Sequence, residues 1–221
     1  MKIAGLDQCI RDPRCFKSPK GDLIISTHVD DMAGYGTPTA LSAFEKIVEK
    51  EVELEKLGQP TKLLGMELTW HDKSVTLTQK ECIENMIAEH QIPPIPRSIP
   101  LNPEGYAKSE QELLPPNDQK RYQSLVGSLL YVSRMTRPDI AIHINLLGRR
   151  TSNPNRDNLQ VAMQLAQYLA STKKEGLILK GIRSGQPKEV LIETYADASY
   201  GGQGSRSQRG TLSTVYGNPT I

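Results

Sequence analysis

The sequence predicts an α+β fold, in which β-segments and helices follow one another without a regular β-α repeat. Three observations support this class. The first ninety residues alternate short β-favouring runs with two amphipathic helical patterns. The next part carries three helical patterns, and the last forty-five residues return to β-favouring runs separated by Gly and Ser. This order fits antiparallel sheets with helices packed beside them.

Composition places the chain among globular proteins. Its 221 residues are 37% hydrophobic and 24% charged, enough to bury a core in one large or two small domains. No apolar run approaches the roughly 20 residues of a membrane span, and charged residues near the start interrupt any signal-peptide pattern. We therefore expect no membrane partner and no secretion. Three cysteines without a C-x-x-C pair, and four scattered histidines, predict neither a disulfide framework nor a zinc site.

A proline-rich segment separates two parts of opposite charge. Residues 92–117 contain seven prolines, which disfavour helices and central strands and predict an extended connection. Residues 1–110 carry 13 basic and 17 acidic side chains, whereas residues 111–221 carry 14 and 8. The basic part could bind a polyanion. An ordinary solvated surface explains so small a net charge equally well.

The first elements form a predicted hairpin followed by a helix. Residues 9–17 and 22–29 favour strands, and the Pro and Gly of residues 18–21 favour the turn between them. Thr37 is a predicted N-cap before Pro38, and an apolar stripe continues to Gly58, which predicts a helix of about twenty residues.

A second hairpin and helix follow. Residues 62–70 and 74–77 favour strands with a turn between them. Thr78 is the predicted cap of a helix over residues 79–90, with Glu81 at capping-box spacing.

The second part of the chain is first helical and then β. Asn117 or Asp118 can cap a helix that continues to Val132, Pro138 opens a second helix, and Asn155 begins a third that ends near residue 172. Three β-favouring runs in the tail then predict a second sheet, over residues 177–179, 190–196 and 212–216.

Two adjacent carboxylates are the strongest chemical signal. Asp30 and Asp31 end an apolar strand, where like charges repel each other unless something compensates them. Mg²⁺ would do so, because it prefers hard oxygen ligands and commonly binds one or two carboxylates together with substrate phosphates. The alternative from the dipeptide alone is a solvated acidic turn at the end of a strand.

Collinear motifs add a family resemblance. The string THVDDM resembles the V-D-D box of reverse transcriptases from copia-type long-terminal-repeat retrotransposons. GLDQCIRDPRCF and LGQPTKLLGMEL resemble the flanking family segments, and RYQSLVGSLLYVSRMTRPDIAIHINLLGRRTSNP resembles a characteristic downstream block. QLAQYLASTKKEGLIL continues that block, and YADASYGG with RSQRGTLSTVYG is similar to the start of the attached ribonuclease H domain. The resemblance covers essentially the whole chain.

The resemblance implies a fold and an arrangement of domains. It implies a partial reverse-transcriptase palm (an antiparallel sheet with helices) over residues 1–91, then the proline-rich connection over 92–117. A helical connection region over 118–175 and an incomplete ribonuclease H-like β-sheet over 176–221 complete the chain. It also implies RNA or DNA template-primer and deoxynucleotides as partners, a larger Pol polyprotein as context, and a cytoplasmic virus-like particle or the nucleus as location.

The resemblance also implies site residues. Asp30 and Asp31 match the polymerase metal site, and Asp197 matches the first metal-binding carboxylate of ribonuclease H, so Mg²⁺ is the implied cofactor. Residues 62–68, with Lys62 and Gly65, match the segment that holds the primer strand. A nucleic-acid backbone contact is implied for the two arginines of the C-terminal turn, Arg206 and Arg209, for which a solvated loop is an equal alternative. The signature of residues 136–139 has a structural reading, with Pro138 starting a helix and Asp139 favouring its dipole.

Both implied sites lack ligands. Only 29 residues precede Asp30, and none offers the further carboxylate that a polymerase needs; the sequence also stops before the remaining ribonuclease H ligands. We therefore expect little or no polymerase activity from this chain alone. Two other readings stay open: a non-enzymatic nucleic-acid-binding remnant, and a degenerate reading frame without a function.

Overall fold

The computed structural model describes residues 5–98, 112–181, 190–201 and 207–220. The chain divides into two compact units, Met1–Pro60 and Thr61–Ile221. The described residues form three antiparallel sheets and five α-helices, which is compatible with the predicted α+β class. No helix in these ranges is long and apolar enough to cross a membrane. The four domain bounds drawn from the sequence stay predictions.

The first unit is a four-stranded antiparallel sheet with one helix. Its strands lie in sequence order: β1 (Asp7–Gln8), β2 (Cys15–Lys17), β3 (Leu23–His28) and β4 (Asp31–Gly36). The predicted hairpin is confirmed as β2 and β3, and β4 is a strand that the sequence analysis missed. Alternate residues of β3 are buried with Phe16 and with Phe44 of helix α1 (Pro38–Val48), so one sheet face builds the core.

Helix α1 begins where the sequence predicts and ends earlier. The Thr37 side chain accepts a hydrogen bond from the Ala40 N–H at 3.3 Å, which confirms the predicted N-cap. The helix ends at Val48, about ten residues before Gly58. The apolar pattern continues in the sequence, but Val52 and Leu57 are exposed and have no core to pack against. The prediction of a twenty-residue helix was therefore wrong, because a helical pattern without a packing partner is marginal in water.

The second unit contains a four-stranded sheet in the order β5 (Lys62–Leu63), β6 (Met66–His71), β7 (Ser74–Thr78) and β8 (Leu177–Lys180). The predicted strand over residues 62–70 is two strands joined by a tight turn. The sequence analysis grouped residues 177–179 with the C-terminal sheet. Instead β8 pairs along β7.

Helices build the largest core of the second unit. They are α2 (Lys80–Glu89), α3 (Pro116–Met135), α4 (Ala141–Gly148) and α5 (Arg156–Ser171). Pro138 opens a short 3₁₀ turn, Pro138–Ile140, that leads into α4. Ile83 of α2 and Leu129 of α3 are fully buried and belong to one cluster with residues of α4 and α5. The predicted run of three helices after the proline-rich segment is confirmed.

The helix caps differ in how well the sequence predicts them. Asn155 and Asn158 form the reciprocal capping box of α5, as expected at Asn155. Helix α3 begins after Pro115, without a side-chain cap from Asn117 or Asp118.

Helix α2 has a cap from another strand. The Glu67 carboxylate of β6 accepts hydrogen bonds from the Lys80 and Glu81 N–H groups at 2.9 and 2.8 Å, and from the Thr78 hydroxyl at 3.2 Å. The predicted cap by Thr78 was wrong, since this carboxylate satisfies the free N–H groups of the helix start and interacts favourably with the helix dipole.

A three-stranded antiparallel sheet follows at the C-terminus. It contains β9 (Ile192–Ser199), β10 (Gln208–Val215) and β11 (Asn218–Thr220), with β10 in the centre. The Asn218 side chain bonds the backbone N–H and C=O of Lys180 at 2.7 and 2.9 Å, which attaches β11 to the end of β8.

Candidate functional site

The two adjacent carboxylates lie at the tip of the β3–β4 hairpin. His28 and Asp31 are paired residues of the two strands, and Val29 and Asp30 form the connection between them. Val29 has a φ of 54° and is 87% exposed, an unfavourable conformation for a β-branched residue. Asp30 and Asp31 are therefore exposed at one end of this sheet, which packs one of its faces into the core.

Both carboxylates are free to accept ligands. Asp30 and Asp31 are exposed, and neither side-chain carboxylate makes an ion pair or hydrogen bond with any residue that the structure describes. The Arg14 guanidinium lies 3.3 Å from Nδ1 of His28, which is the strand partner of Asp31. The Thr27 N–H and hydroxyl bond the Arg14 carbonyl, which fixes the backbone of Arg14 beside β3. Sequence analysis missed Arg14 because its position depends on strand pairing rather than on a motif.

Lys62 lies on strand β5, and Gly65 lies in the tight β5–β6 turn of the second unit. Gly65 and Leu64 have φ values of +69° and +49°, so both adopt the left-handed conformation. The Tyr131 hydroxyl of α3 donates to the Leu64 carbonyl at 2.7 Å, and a Cβ on residue 65 would lie 2.8 Å from that hydroxyl oxygen. Glycine is thus required for two reasons, backbone conformation and close approach. The Lys62 ammonium pairs with the carboxylate of Glu81 and is not a free cation.

Asp197 lies on strand β9 of the C-terminal sheet. It is exposed, pairs with Gly210 of β10, and accepts a hydrogen bond from the Ala198 N–H at 2.9 Å. Arg209 is exposed on β10 opposite Ala198, one pair along from Asp197. Arg206 lies outside the described residues.

The carboxylates do not form a complete metal cage. Within the ranges that the structure describes, no group of three or more His, Cys, Asp or Glu side chains is placed to hold a metal ion. Asp30 and Asp31 supply hard oxygen donors, and Asp197 supplies one more in a separate sheet. The two adjacent carboxylates of the hairpin alone suit an ion that keeps several water or substrate ligands, as Mg²⁺ usually does.

The signature at residues 136–139 forms an ion-pair network around a buried arginine. The Arg137 side chain is 2% exposed and donates to both Asp139 carboxylate oxygens, at 2.9 and 2.7 Å, and to the Thr172 carbonyl at 3.0 Å. The Tyr168 hydroxyl also donates to Asp139, at 2.8 Å, and the Tyr168 ring lies 5.2 Å from the guanidinium. Pro138 begins the 3₁₀ turn, which confirms its predicted role as a helix start. Asp139 contributes chiefly through Arg137 and Tyr168, a partnership that the sequence analysis did not foresee.

Known proteins that this chain resembles include Pol polyproteins of transposons. The chain is 27% identical over 224 residues to the retrovirus-related Pol polyprotein from transposon TNT 1-94 of Nicotiana tabacum, an alignment that includes 96% of this chain and 16% of the relative. It is 29% identical to the putative transposon Ty5-1 protein of Saccharomyces cerevisiae, covering 82% of this chain and 58% of the relative. It is 26% identical to the Pol polyprotein from transposon RE1 of Arabidopsis thaliana, covering 90% and 13%. The chain thus spans less than two thirds of each relative. No protein-family model matches it, and no solved structure does.

Proposed function

We propose, from the premise that the homologues of this chain are Pol polyproteins of copia-type retrotransposons, that the chain is a segment of an RNA-directed DNA polymerase with the start of its ribonuclease H. In this proposal the β3–β4 hairpin is half of the polymerase metal site. Strand β9 with Asp197 is the first part of the ribonuclease H site. The partners are template-primer, deoxynucleotides and the remainder of a Pol polyprotein.

The observation that carries the proposal is the geometry of the hairpin tip. A connection of Val29 and Asp30, with Val29 in the left-handed region, places two exposed carboxylates next to each other. Unfavourable backbone conformations are concentrated at functional sites, where surrounding structure maintains them. A purely structural turn at this point would be better served by Gly or Asn than by Val.

The residues fit a divalent ion that completes its coordination from elsewhere. Asp30 and Asp31 would be the protein ligands, and water, phosphate or another carboxylate would fill the other positions. Bound there, Mg²⁺ would stabilise the attacking and leaving oxygens of phosphoryl transfer. The chain's own contribution is to hold the two carboxylates in place and to keep their strand anchored in the Leu23, Ile25 and Phe44 core.

Manganese-induced NMR line broadening tests the metal site. Mn²⁺ is the probe because it takes the same oxygen ligands as Mg²⁺ and broadens nearby amide signals. We expect selective broadening of the amides of residues 29–32, and its loss in the Asp30→Asn, Asp31→Asn double variant. Asp72→Asn is the matched control, since Asp72 is a single exposed acid in the β6–β7 turn. Broadening at residues 29–32 no stronger than near Asp72 would contradict the metal site.

Primer extension tests the expected inactivity. The described residues offer two carboxylates at the hairpin and no third ligand, so we expect no template-dependent extension above a protein-free blank with Mg²⁺ and deoxynucleotides. Extension that disappears in the Asp30→Asn, Asp31→Asn variant would overturn this expectation, although it would support the assignment of the site.

Nucleic-acid binding without catalysis is the second candidate. The excess of 14 basic over 8 acidic side chains in residues 111–221 favours it. If it holds, binding to a primer-template duplex weakens steeply as salt rises, because each neutralised phosphate releases counterions. The Arg209→Gln variant should bind more weakly and show a salt slope smaller by about 1. The absence of binding by the folded chain at low salt would eliminate this candidate.

A further inference from the structure

Two cysteines lie opposite each other at the loop end of the β1–β2 pair. Asp7 pairs with Lys17 and Gln8 pairs with Phe16, so the same register places Cys9 opposite Cys15. The Cys9 N–H donates to the Cys15 carbonyl at 2.8 Å, which shows that the pairing extends to these residues. Directly paired residues share one face of a sheet, with Cα atoms about 4.5–5.5 Å apart. That separation is within the range that a disulfide bridges.

The Cys15 thiol is directed into the loop that joins the two cysteines. Its Sγ donates to Asp12 Oδ2 at 3.3 Å, and the Cys15 N–H donates to the Asp12 carbonyl at 3.1 Å. The hydrogen bond to Asp12 and, next, burial raise the pKa of the Cys15 thiol, and the nearby Cys9 thiol adds the smallest contribution. Both cysteines are partly exposed, so a small oxidant can reach them. Cys82 is different, since burial beside the helical core of the second unit raises the pKa of its thiol.

We propose that Cys9 and Cys15 form a dithiol site that exchanges with small-molecule disulfides and closes to an intramolecular disulfide. This inference is independent of the proposed polymerase function. The sequence analysis singled out no cysteine pair, because strand register rather than C-x-x-C spacing brings Cys9 and Cys15 together.

The exchange proceeds in two balanced steps with oxidised glutathione as the oxidant. The Cys9 thiolate attacks one sulfur of glutathione disulfide, which forms a mixed disulfide and releases one glutathione thiolate. The Cys15 thiolate then attacks the Cys9 sulfur and releases the second glutathione. Two protein thiols are oxidised, one glutathione disulfide is reduced to two thiols, and the two protons pass to the released thiolates. Cys9 attacks first because the Asp12 carboxylate disfavours the Cys15 thiolate.

Peptide mapping gives a direct assay. Arg11 and Arg14 lie between the two cysteines, so trypsin separates residues 3–11 from residues 15–17 unless a disulfide joins them. After incubation of the full chain with glutathione disulfide and blocking of free thiols, we expect the linked peptide pair and a fall from three free thiols to one. The Cys9→Ser variant should lose the linked pair, while Cys82→Ala, the matched control, should retain it.

Comparing the folded chain with the urea-unfolded chain shows whether closing the disulfide depends on the fold or only on the closeness of Cys9 and Cys15 in the sequence. In glutathione redox buffers, we expect the equilibrium constant for closing the Cys9–Cys15 disulfide to be at least about tenfold higher in the folded chain. A constant that is equal or lower in the folded chain would overturn the proposal. So would a linked peptide that joins Cys82 to either of the other cysteines.

Discussion

Replacing Asp139 by Asn removes the nearer of two charge partners of a deeply buried guanidinium, the other being Glu175 at 3.8 Å. Arg137 is 2% exposed, and its two bonds to Asp139 are charge-assisted and bidentate. Asn can accept one of these bonds but presents an NH₂ group to the other guanidinium nitrogen. The variant also loses the anionic acceptor of the Tyr168 hydroxyl. The Thr172 carbonyl, at 3.0 Å, and the Glu175 carboxylate, at 3.8 Å, then remain as partners of the Arg137 guanidinium.

The expected cost follows from these contacts. Breaking a fully buried pair costs about 3–5 kcal/mol, and one charge-assisted hydrogen bond contributes about 1.5–3 kcal/mol. The Asp139 side chain is 38% exposed, so water replaces part of what is lost. We therefore expect Asp139→Asn to lower the free energy of unfolding of the second unit by about 2–3 kcal/mol.

Urea unfolding followed by tryptophan fluorescence measures this change. Trp70 is the single tryptophan and lies on β6 of the same unit, so its signal reports on the relevant core. Asp72→Asn, at an exposed turn, is the control and should change stability by less than about 0.5 kcal/mol. A loss below about 0.5 kcal/mol for Asp139→Asn would refute the assignment of the Arg137–Asp139 pair as a major stabilising contact.

The same pair predicts a pH dependence. Burial raises the pKa of Asp139, but the hydrogen bonds from Arg137 and Tyr168 and the Arg137 charge lower it more, so the net shift is below the ordinary value of 3.8. A carboxyl with a lowered folded-state pKa adds stability above its unfolded-state pKa and loses it as pH falls through the folded value. The stability difference between wild type and Asp139→Asn should therefore be constant at neutral pH and shrink below about pH 4.

Three further outcomes are expected in urea unfolding followed by Trp70 fluorescence. Glu67→Gln should lower the free energy of unfolding by about 1–2 kcal/mol because it weakens the cap of α2, whereas Glu89→Gln, on an exposed position of the same helix, should have little effect. Gly65→Ala should cost about 1–2 kcal/mol, because alanine disfavours φ of +69° and its Cβ would meet the Tyr131 hydroxyl. Burial lowers the pKa of His90, so the unfolded chain binds a proton more readily than the folded chain does. The free energy of unfolding should therefore fall as pH drops below about 6.5, and this pH slope should be smaller in His90→Gln. An unchanged slope, or equal effects of the two glutamate variants, would contradict these explanations.

Local signals in the sequence predict much of the secondary structure. Thr37 and Asn155 are caps whose partners lie three residues away, so their effect depends on nearby sequence alone. The turn of residues 18–21 is likewise stabilised by residues close to it in the sequence, because the Ser18 hydroxyl donates a hydrogen bond to the Asp22 carboxylate at 2.6 Å. These predictions are confirmed for that reason.

Contacts between distant residues could not be predicted in the same way. The cap of α2 comes from Glu67, the β8 strand pairs with β7 about a hundred residues earlier, and helix α1 ends where packing partners end. Each of these depends on tertiary neighbours, which override local propensity.

At the candidate site too, features set by nearby sequence are predicted and contacts between distant residues are not. The apolar strand before Asp30 and Asp31 predicts that the carboxylates lie at a strand end, and the structure places them at the hairpin tip. The pairing of Lys62 with Glu81 and the placement of Arg14 beside His28 depend on strand packing and were not foreseen.

Sequencing of the source transcript on both sides of this segment tests the central claim most directly. The chain spans 16% of its tobacco relative, so a Pol segment predicts a reading frame that continues upstream into a strand bearing a further Asp and downstream into the rest of ribonuclease H. Stop codons on both sides would contradict the claim that this chain is part of a working polymerase.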